Sequence, residues 1–429
     1  MKLPKFISNN TVLKITSLNA IVISIRLVVS VFIQRMLAIA VGESGIASIG
    51  QVRNVLAMLT TTSTLGVFSG VVKYVSQFKA DQPELSKLFS TVTLFTLVGS
   101  VLSSAILFFG ASFFSDYLFY NQEYIYVFHL LAVIIPFIAV NRIVNGVISG
   151  LSDYKRYAKI ELISYLLGAV ALVYGLYNSD LKGVIIAIAL TPIIQLIVLV
   201  FVFGKTLKQY VNFRTLNFSI VYKNKLLAFT LMSFISSFLI NYIELDIRFL
   251  VTKEININEA GYWTAMTFIS KNYMVFATGL FTLYVLPKFA NITGKQEFVK
   301  EVINIYKTIL PIFALGMLLV YLLRNLIIQI IYPEFTGMEP LFKWQLLGDF
   351  VRLSSVVLAH QFLAKRLVKS FVITELISLI LFFVLSKIFI SYYGTEGVVL
   401  AHFVRYVIYF VVVIFVIKHY YNNSTLQKE

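Results

Sequence analysis

Long apolar runs, separated by short polar connections, fill most of this chain. A helix needs about 20 mainly apolar residues to cross the hydrocarbon core of a bilayer, and the runs are close to that length or longer. They predict twelve transmembrane helices, over 12–40, 48–77, 88–112, 124–150, 159–177, 183–204, 226–251, 260–286, 302–324, 341–364, 370–391 and 397–418. The connections leave no room for a folded soluble domain, so the predicted fold is an all-α integral membrane protein.

The composition points to the same class. Hydrophobic residues make up 59% of the 429 residues and charged residues 13%, whereas a soluble domain is about a quarter charged. Cysteine is absent from the sequence, which excludes disulfides and thiolate metal sites. The first apolar run is too long for a cleavable signal peptide and contains Arg26. We therefore expect it to serve as the first membrane helix.

Lysine and arginine residues concentrate on one side of the predicted helices. They fill the connections on that side, including the acid-free stretch 205–225, whereas the other side carries mainly Asp and Glu. By the positive-inside rule, this bias predicts that both termini and stretch 205–225 lie in the cytoplasm. The net charge of +16 is then explained by anionic lipid beside the cytoplasmic loops, and no nucleic-acid partner is expected.

Short sequences on the two sides of stretch 205–225 recur in the same order. Residues 161–164 (ELIS) recur as residues 375–378, an offset of 375 − 161 = 214, and residues 183–187 recur in similar form as 397–401 at the same offset. Short apolar strings recur by chance in membrane proteins, but several matches in one order indicate an internal duplication.

The duplication predicts two lobes, residues 1–215 and 216–429. Six helices is an even number, so both lobes start on the same side of the membrane. They are then parallel repeats related by a pseudo-two-fold axis along the membrane normal. Two six-helix lobes around a central cavity are the architecture of an alternating-access transporter, which is the class that the sequence predicts.

Ionisable residues inside the predicted helices are the candidate functional residues. A charge there costs about 2.5 to 3.5 kcal/mol on insertion scales, and it normally faces a cavity or a partner. The cations exceed the acids, so a cavity for an anionic ligand is predicted. Arginine suits phosphate because its planar fork bonds pairs of oxygens. The cations are Arg26, Arg53, Lys73, Arg142, Arg248, Lys271, Arg352 and Arg405, and the acids are Glu244, Asp246 and Asp349.

Structural roles remain open for some of these charges. Lys73 and Arg248 lie within snorkelling reach of an interface. Asp349 and Arg352 are three residues apart on one helix and share a face, so they can form a satisfied pair. The three acids are also candidates for coupling transport to H⁺ or Na⁺. No cofactor, metal site or catalytic residue is expected, because the histidines inside the predicted helices form no ligand cluster.

Several short motifs carry a resemblance to a known family. They are Glu43-Ser44-Gly45, Gln51-Val52-Arg53-Asn54, residues 70–78 (GVVKYVSQF), Tyr284-Val285-Leu286-Pro287 and Trp344-Gln345-Leu346-Leu347-Gly348-Asp349. In their order and spacing they resemble the Wzx family of the multidrug/oligosaccharidyl-lipid/polysaccharide exporter superfamily. Within that family the chain is most similar to the O-antigen and lipid III (enterobacterial common antigen) flippases. Arg53, Lys73 and Asp349 lie inside the matching motifs.

The resemblance implies a specific function. Such proteins move an undecaprenyl-diphosphate-linked oligosaccharide from the cytoplasmic to the periplasmic leaflet of the bacterial inner membrane. They work with a polymerase and a chain-length regulator. The implied protein is a transporter and not an enzyme, and a monomer suffices because one chain holds both lobes.

Two rival functions are weighed against this one. An ion-coupled drug or cation antiporter of the same superfamily would favour acids in its cavity, whereas cations are in surplus here. A membrane glycan polymerase or ligase would need a large periplasmic loop, and the longest outer connection runs only from about residue 325 to 340.

Overall fold

A computed structural model describes residues 11–119, 121–211, 220–292, 294–365 and 367–426. Within these ranges every regular element is helical. Eight of the described helices are long and apolar enough to cross a membrane, judged by length and composition. The predicted all-α membrane fold is therefore confirmed. The number of twelve spans stays a prediction, because several of the eight helices continue through internal breaks.

The helices run in chain order along almost the whole described chain. They are α1 (Thr11–Thr62), α2 (Phe68–Phe78), α3 (Gln82–Phe109), α4 (Ala111–Phe119), α5 (Ile125–Gly150), α6 (Tyr154–Tyr210), α7 (Lys223–Ser233), α8 (Ile240–Glu254), α9 (Ile257–Leu280), α10 (Leu286–Asn291), α11 (Lys295–Leu322), α12 (Arg324–Ile331), α13 (Leu341–Ala364) and α14 (Val368–Leu426). Two short 3₁₀ turns, Gln122–Tyr124 and Thr336–Met338, and two π-helical turns, Phe234–Leu239 and Phe281–Val285, join neighbouring helices.

The described residues form two compact units. Unit 1 contains the described residues of 11–33 and 48–242, and unit 2 contains those of 34–47 and 243–426. The predicted lobe boundary at 215/216 falls in 212–219, outside the described residues. The division into lobes at that point therefore stays a prediction.

Three of the long helices are interrupted by residues with non-helical backbone angles. Gly42 breaks α1 at φ 62°, Ser179 and Asp180 break α6, and Gly394 breaks α14 at φ 57°. Asp180 and Gly394 both have positive φ and are separated by 394 − 180 = 214 residues. This is the offset of the sequence repeat, so the duplicated segments turn at equivalent positions.

The helices on each side of these two breaks approach closely at equivalent glycines. A β-carbon on Gly183 would collide with the carbonyl oxygen of Gly175, and one on Gly397 would collide with the carbonyl oxygen of Phe389. Both pairs keep the offset of 214. Small residues permit this close backbone approach between membrane helices, which explains why glycine occupies the first residues of the repeated segments 183–187 and 397–401.

One predicted helix of unit 1 is wrong as a single helix. The run 48–77 is interrupted by a turn, in which Leu65 and Gly66 have positive φ. Ser233 packs against Gly66, and its hydroxyl donates to the Gly66 carbonyl oxygen at 2.8 Å. The run 88–112 ends earlier, at Phe109, where Gly110 caps α3. Apolarity alone does not register such turns, because the turn residues are themselves mostly apolar.

The core of unit 1 contains apolar side chains from α2, α3, α5 and α6, including Val71, Leu88, Ile148 and Phe203. In unit 2, α13 is buried along much of its length and packs against α11 and α14. A polar residue on the buried face of α13 is therefore surrounded by protein and needs partners from neighbouring helices.

Candidate functional site

Asp349 is the centre of a buried polar network in unit 2. It lies on α13 and is fully buried. Its carboxylate accepts hydrogen bonds from Ser270 Oγ at 2.5 Å, Gln345 Nε2 at 3.2 Å and the Tyr273 hydroxyl, and its Oδ1 lies 3.0 Å from His402 Nε2. Residues 270 and 273 share a face of α9, whereas residues 345 and 349 share a face of α13. Three helices therefore meet at one carboxylate.

Arg405 is buried on α14, one turn after His402, and is only 4% exposed. Its guanidinium carbon lies 4.3 Å from the ring centre of Phe382 and 4.2 Å from that of Tyr406. Nη2 donates to the Tyr406 hydroxyl at 2.5 Å. Nε and Nη1 are buried and have no hydrogen-bond partner in the described structure. The side chain therefore holds a positive charge and two unused donors inside unit 2.

Arg352 lies on α13, one turn after Asp349. Its guanidinium carbon is 5.7 Å from the ring centre of Tyr406, on which Arg405 also rests. The donors that Asp349 accepts come from other residues, so the simple Asp349–Arg352 pair that the sequence left open is not the arrangement found. Within the described residues, Arg352 and Arg405 form a pair of cations joined by one aromatic ring and supported by the Asp349 network.

A second carboxylate lies near these cations. Glu375 on α14 accepts a hydrogen bond from the Tyr409 hydroxyl at 2.7 Å. Arg405 and Arg352 are within electrostatic reach of Glu375, but neither forms an ion pair with it in the described structure. Two carboxylates, Asp349 and Glu375, thus lie near the two arginines, but neither arginine forms a direct ion pair with them among the described residues.

The remaining candidate charges of unit 2 have other partners. Lys271 donates to Glu244 at 2.7 Å, and the two side chains form a salt bridge. Arg248 is 1% exposed, rests on Trp263 with its guanidinium carbon 5.2 Å from the ring centre, and donates from Nε to Thr264 at 2.7 Å. Its Nη1 has no hydrogen-bond partner among the described groups.

Asp246 lies on α8 between these residues and is half-buried. It is two residues from Glu244 and two from Arg248, so its side chain points away from theirs on the helix.

In unit 1, the candidate cation Arg26 is paired with a carboxylate. Arg26 on α1 forms a salt bridge with Glu161 on α6 at 2.9 Å, and Gln195 donates to the same carboxylate at 3.3 Å. The guanidinium carbon of Arg26 also lies 4.9 Å from the ring centre of Tyr165. The charge of Arg26 is thus neutralised inside the unit.

The other candidate cations of unit 1 lie mainly against aromatic rings. The Arg142 guanidinium carbon is 3.7 Å from the ring centre of Phe68, and the Lys73 ammonium is 4.9 Å from that of Tyr74. Arg53 is half-buried on α1. Cation–π contacts contribute about 0.5 to 2 kcal/mol each, so Arg142 and Lys73 have favourable aromatic surroundings.

Sequence reasoning missed the groups that organise these charges. Ser270 and Tyr273 carry no signal of their own in an apolar helix, and Gln345 stands in a quoted motif without being predicted to contact Asp349. One signal was available on α14, where residues 402, 405, 406 and 409 follow the i, i+3, i+4, i+7 spacing of a single helix face. The repeat also gave a signal, since Glu161 and Glu375 are equivalent in it.

The buried charges and spanning helices define this chain as a multi-pass membrane protein, and its fold is that of known transporters. It superposes on the inward-facing conformation of a multidrug resistance MATE family transporter of the MOP superfamily with a TM-score of 0.77, at 14% identity over 92% of this chain and 95% of that chain. It superposes on the lipid II flippase MurJ, in an inward closed conformation, with a TM-score of 0.68, at 17% identity over 93% of this chain and 87% of that one.

The chain belongs to the polysaccharide biosynthesis protein family, whose model matches residues 47–335. It is also 25% identical over 387 residues to the lipid III flippase of Escherichia coli strain K12, covering 90% of this chain and 93% of that protein. The family resemblance predicted from the sequence motifs is therefore confirmed.

Proposed function

We propose that this protein is a flippase. It moves an undecaprenyl-diphosphate-linked oligosaccharide from the cytoplasmic to the periplasmic leaflet of the bacterial inner membrane by alternating access. Support comes from membership of the polysaccharide biosynthesis family and from similarity, over nearly the whole chain, to a protein named lipid III flippase. It also shares its fold with a lipid II flippase.

The structural observation that carries the proposal is the Arg405 guanidinium. A buried charge with unused donors is costly unless a ligand or partner completes it. A diphosphate offers several anionic oxygens, and a guanidinium bonds pairs of them in a planar fork. Arg352 lies beside the same tyrosine ring and supplies a second cation. The two arginines can therefore replace part of the water that a diphosphate loses on entering the membrane.

We further propose that a proton drives the cycle and binds at the Asp349–His402 pair. Histidine exchanges protons near neutral pH more readily than the other side chains of the network. Sodium would need several free oxygen ligands, whereas the Asp349 carboxylate already accepts hydrogen bonds from Ser270, Tyr273 and Gln345. Of the other two candidate acids, Glu244 is engaged with Lys271, and Asp246 points away from Glu244 on α8.

The coupling proposal is tested by comparing His402→Gln with His129→Gln in proteoliposomes. His129 is the matched control because it stacks on Phe108, with ring centres 4.7 Å apart, and is no part of the Asp349 network. A pH gradient is expected to accelerate flipping by the wild-type and His129→Gln proteins but not by His402→Gln. Acceleration by a sodium gradient at uniform pH would instead favour a sodium-coupled flippase.

The proposed setting is the inner membrane, with both termini in the cytoplasm and one chain as the functional unit. An O-antigen polymerase and a chain-length regulator are the proposed partners. Reporter fusions that are active only in the cytoplasm or only in the periplasm would locate the carboxyl terminus. Cross-linking in cells followed by mass spectrometry would test for the two partners.

Flipping itself is tested with the purified full chain in proteoliposomes that contain a fluorescent undecaprenyl-diphosphate oligosaccharide. A membrane-impermeant quencher added outside reports how much label has changed leaflet. Protein-dependent exchange is expected. If correctly folded protein gives none under any imposed gradient, but exports a cationic drug, the protein is an antiporter and the proposal fails.

A further inference from the structure

An apolar groove runs along unit 2 between α11 and α13. Its volume is about 420 Å³, and its walls are two stripes of side chains. The α11 stripe consists of Ala314, Met317, Leu318 and Tyr321, and the α13 stripe consists of Lys343, Leu346, Leu347 and Phe350. Each stripe follows the i, i+3, i+4, i+7 spacing of one helix face, so two straight walls face each other.

The groove has a closed floor and an open side. Met317 and Leu346 are buried at 7% and 5% exposure, whereas Leu318 and Leu347 are 52% and 43% exposed. Each stripe covers eight residues, or seven steps of 1.5 Å, so the groove is about 10 Å long. At the end of the α11 stripe opposite Tyr321, the small side chain of Ala314 leaves space that a larger side chain would fill. These dimensions fit a length of flexible hydrocarbon chain and exclude a folded partner.

Lys343 is the cation that lines the polar end of the groove, and Arg324 lies beside it with its guanidinium carbon 4.4 Å from the ring centre of Tyr321. Lys343 lies two residues after α13 begins, and its ammonium is 4.6 Å from the ring centre of Trp344. Tyr321 lies on the opposite wall, close to the end of α11. Tyr and Trp mark the depth of the lipid headgroups in membrane proteins. Among the described residues, Lys343 forms no ion pair, whereas the neighbouring Arg324 is paired with Glu339 at 2.7 Å.

We infer that this groove is a specific binding site for one acyl chain of an anionic phospholipid. Its phosphate contacts the Lys343 ammonium and its hydrocarbon lies between Leu318 and Leu347. A single lysine matches a headgroup with one negative charge, because lysine binds phosphate as a point charge. A diphosphate would need more donors than the groove end provides. The groove is thus distinct from the buried arginines that we assign to the translocated lipid.

The test uses native mass spectrometry of the full-length protein in detergent, titrated with phosphatidylglycerol or phosphatidylcholine. The wild-type protein is expected to retain phosphatidylglycerol preferentially. Lys343→Gln is expected to weaken that binding about fivefold, since one cation at a membrane surface contributes roughly 1 kcal/mol. Leu318→Trp is expected to weaken binding of both lipids by filling the groove. Lys253→Gln, at another exposed lysine, is the matched control and is expected to bind as wild type.

Three outcomes would overturn the inference. Equal retention of the two lipids by the wild type, or an equal loss in Lys343→Gln and Lys253→Gln, would mean ordinary annular lipid. Displacement of phosphatidylglycerol by a stoichiometric amount of undecaprenyl diphosphate would assign the groove to the transported lipid. Lys343→Gln alters only an exposed side chain, so its result stands even if Leu318→Trp misfolds. None of these results depends on flipping activity.

Discussion

Glu161 in unit 1 and Glu375 in unit 2 occupy equivalent positions in the duplicated sequence, and each accepts a hydrogen bond from an equivalent position. Gln195 donates to Glu161, and Tyr409 donates to Glu375. The two donors are separated by 409 − 195 = 214 residues, as are the two acids. The duplication has therefore kept a carboxylate and its donor at the same place on the same pair of helical segments.

The two sites differ in what neutralises the carboxylate. In unit 1, Arg26 pairs directly with Glu161 at 2.9 Å. In unit 2, Arg405 interacts with Glu375 only through space. It lies against the rings of Phe382 and Tyr406, and its Nε and Nη1 have no hydrogen-bond partner among the described groups. The duplicated helices thus contain a cation that is paired with a carboxylate in unit 1, which we call the closed pair. In unit 2 they contain a cation with unused donors, which we call the open cation. An open cation can receive a phosphate without first breaking a salt bridge, so we assign the tighter ligand contact to unit 2.

The largest effect is expected from Arg405→Gln. Hydrogen bonds to charged groups contribute about 1.5 to 3 kcal/mol, and each 1.4 kcal/mol is a factor of ten. Flipping of the labelled lipid in proteoliposomes is therefore expected to fall about ten- to a hundredfold. Arg405→Lys keeps the charge but loses the fork and is expected to give an intermediate rate.

Arg156→Gln is the matched control for this prediction. Arg156 is an arginine of unit 1 that pairs with Asp153 at 2.6 Å on an exposed helix turn, and its loss is expected to leave flipping unchanged. If Arg26→Gln reduced flipping more than Arg405→Gln in equally stable proteins, the ligand contact would belong to the closed pair, and the contrast between the units would be reversed.

The equivalent helix breaks at Gly394 and Asp180 allow the two units to be compared by the stability of variants. Gly394 has φ 57°, and a β-carbon there would meet only ordinary contact, with Ile255 at 3.7 Å. The cost of Gly394→Ala is thus conformational, about 1 to 2 kcal/mol, and its melting temperature in detergent is expected to fall. The equivalent Asp180 already bears that strain at φ 47°.

The reciprocal variant Asp180→Gly is expected to raise the melting temperature. Its gain should be smaller than the loss in Gly394→Ala, because glycine also costs about 0.5 to 1 kcal/mol of chain entropy. The melting temperature is therefore expected to fall in Gly394→Ala and to rise in Asp180→Gly. A loss of stability in both variants would show that the Asp180 side chain contributes more than its backbone angle costs.

The sequence predicted those features that local composition or repetition determines. Apolar runs located the helices, and the offset of 214 related Glu161 to Glu375 before any contact was known. It did not predict the turn at Gly66, because the close approach of Ser233 that requires a glycine there comes from a distant segment.

The partners of the buried charges were also beyond sequence reasoning. Asp349 has Arg352 on its own helix face, yet it accepts hydrogen bonds from Ser270 and Tyr273 on α9. Which partner a buried carboxylate takes depends on the rotation and depth of neighbouring helices, and these are set by packing over the whole unit. The number of cations was readable in the sequence, but which of them are neutralised was not.

The smallest expected effect is the coupling between Arg26 and Glu161. Both side chains are partly exposed, at 40% and 22%, so the pair should contribute only about 0.5 to 1 kcal/mol. In a double-mutant cycle of unfolding in detergent, Arg26→Gln and Glu161→Gln are each expected to destabilise the protein by a similar amount. The double variant is expected to be less destabilised than the sum of the two, because neither charge is then left without its partner. The same cycle on Arg405 and Glu375 should give a smaller coupling energy, because these two side chains interact only through space and form no direct ion pair among the described residues. A coupling in unit 2 as large as that in unit 1 would mean that Arg405 is a closed ion pair in solution, and its assignment as the open cation would be wrong.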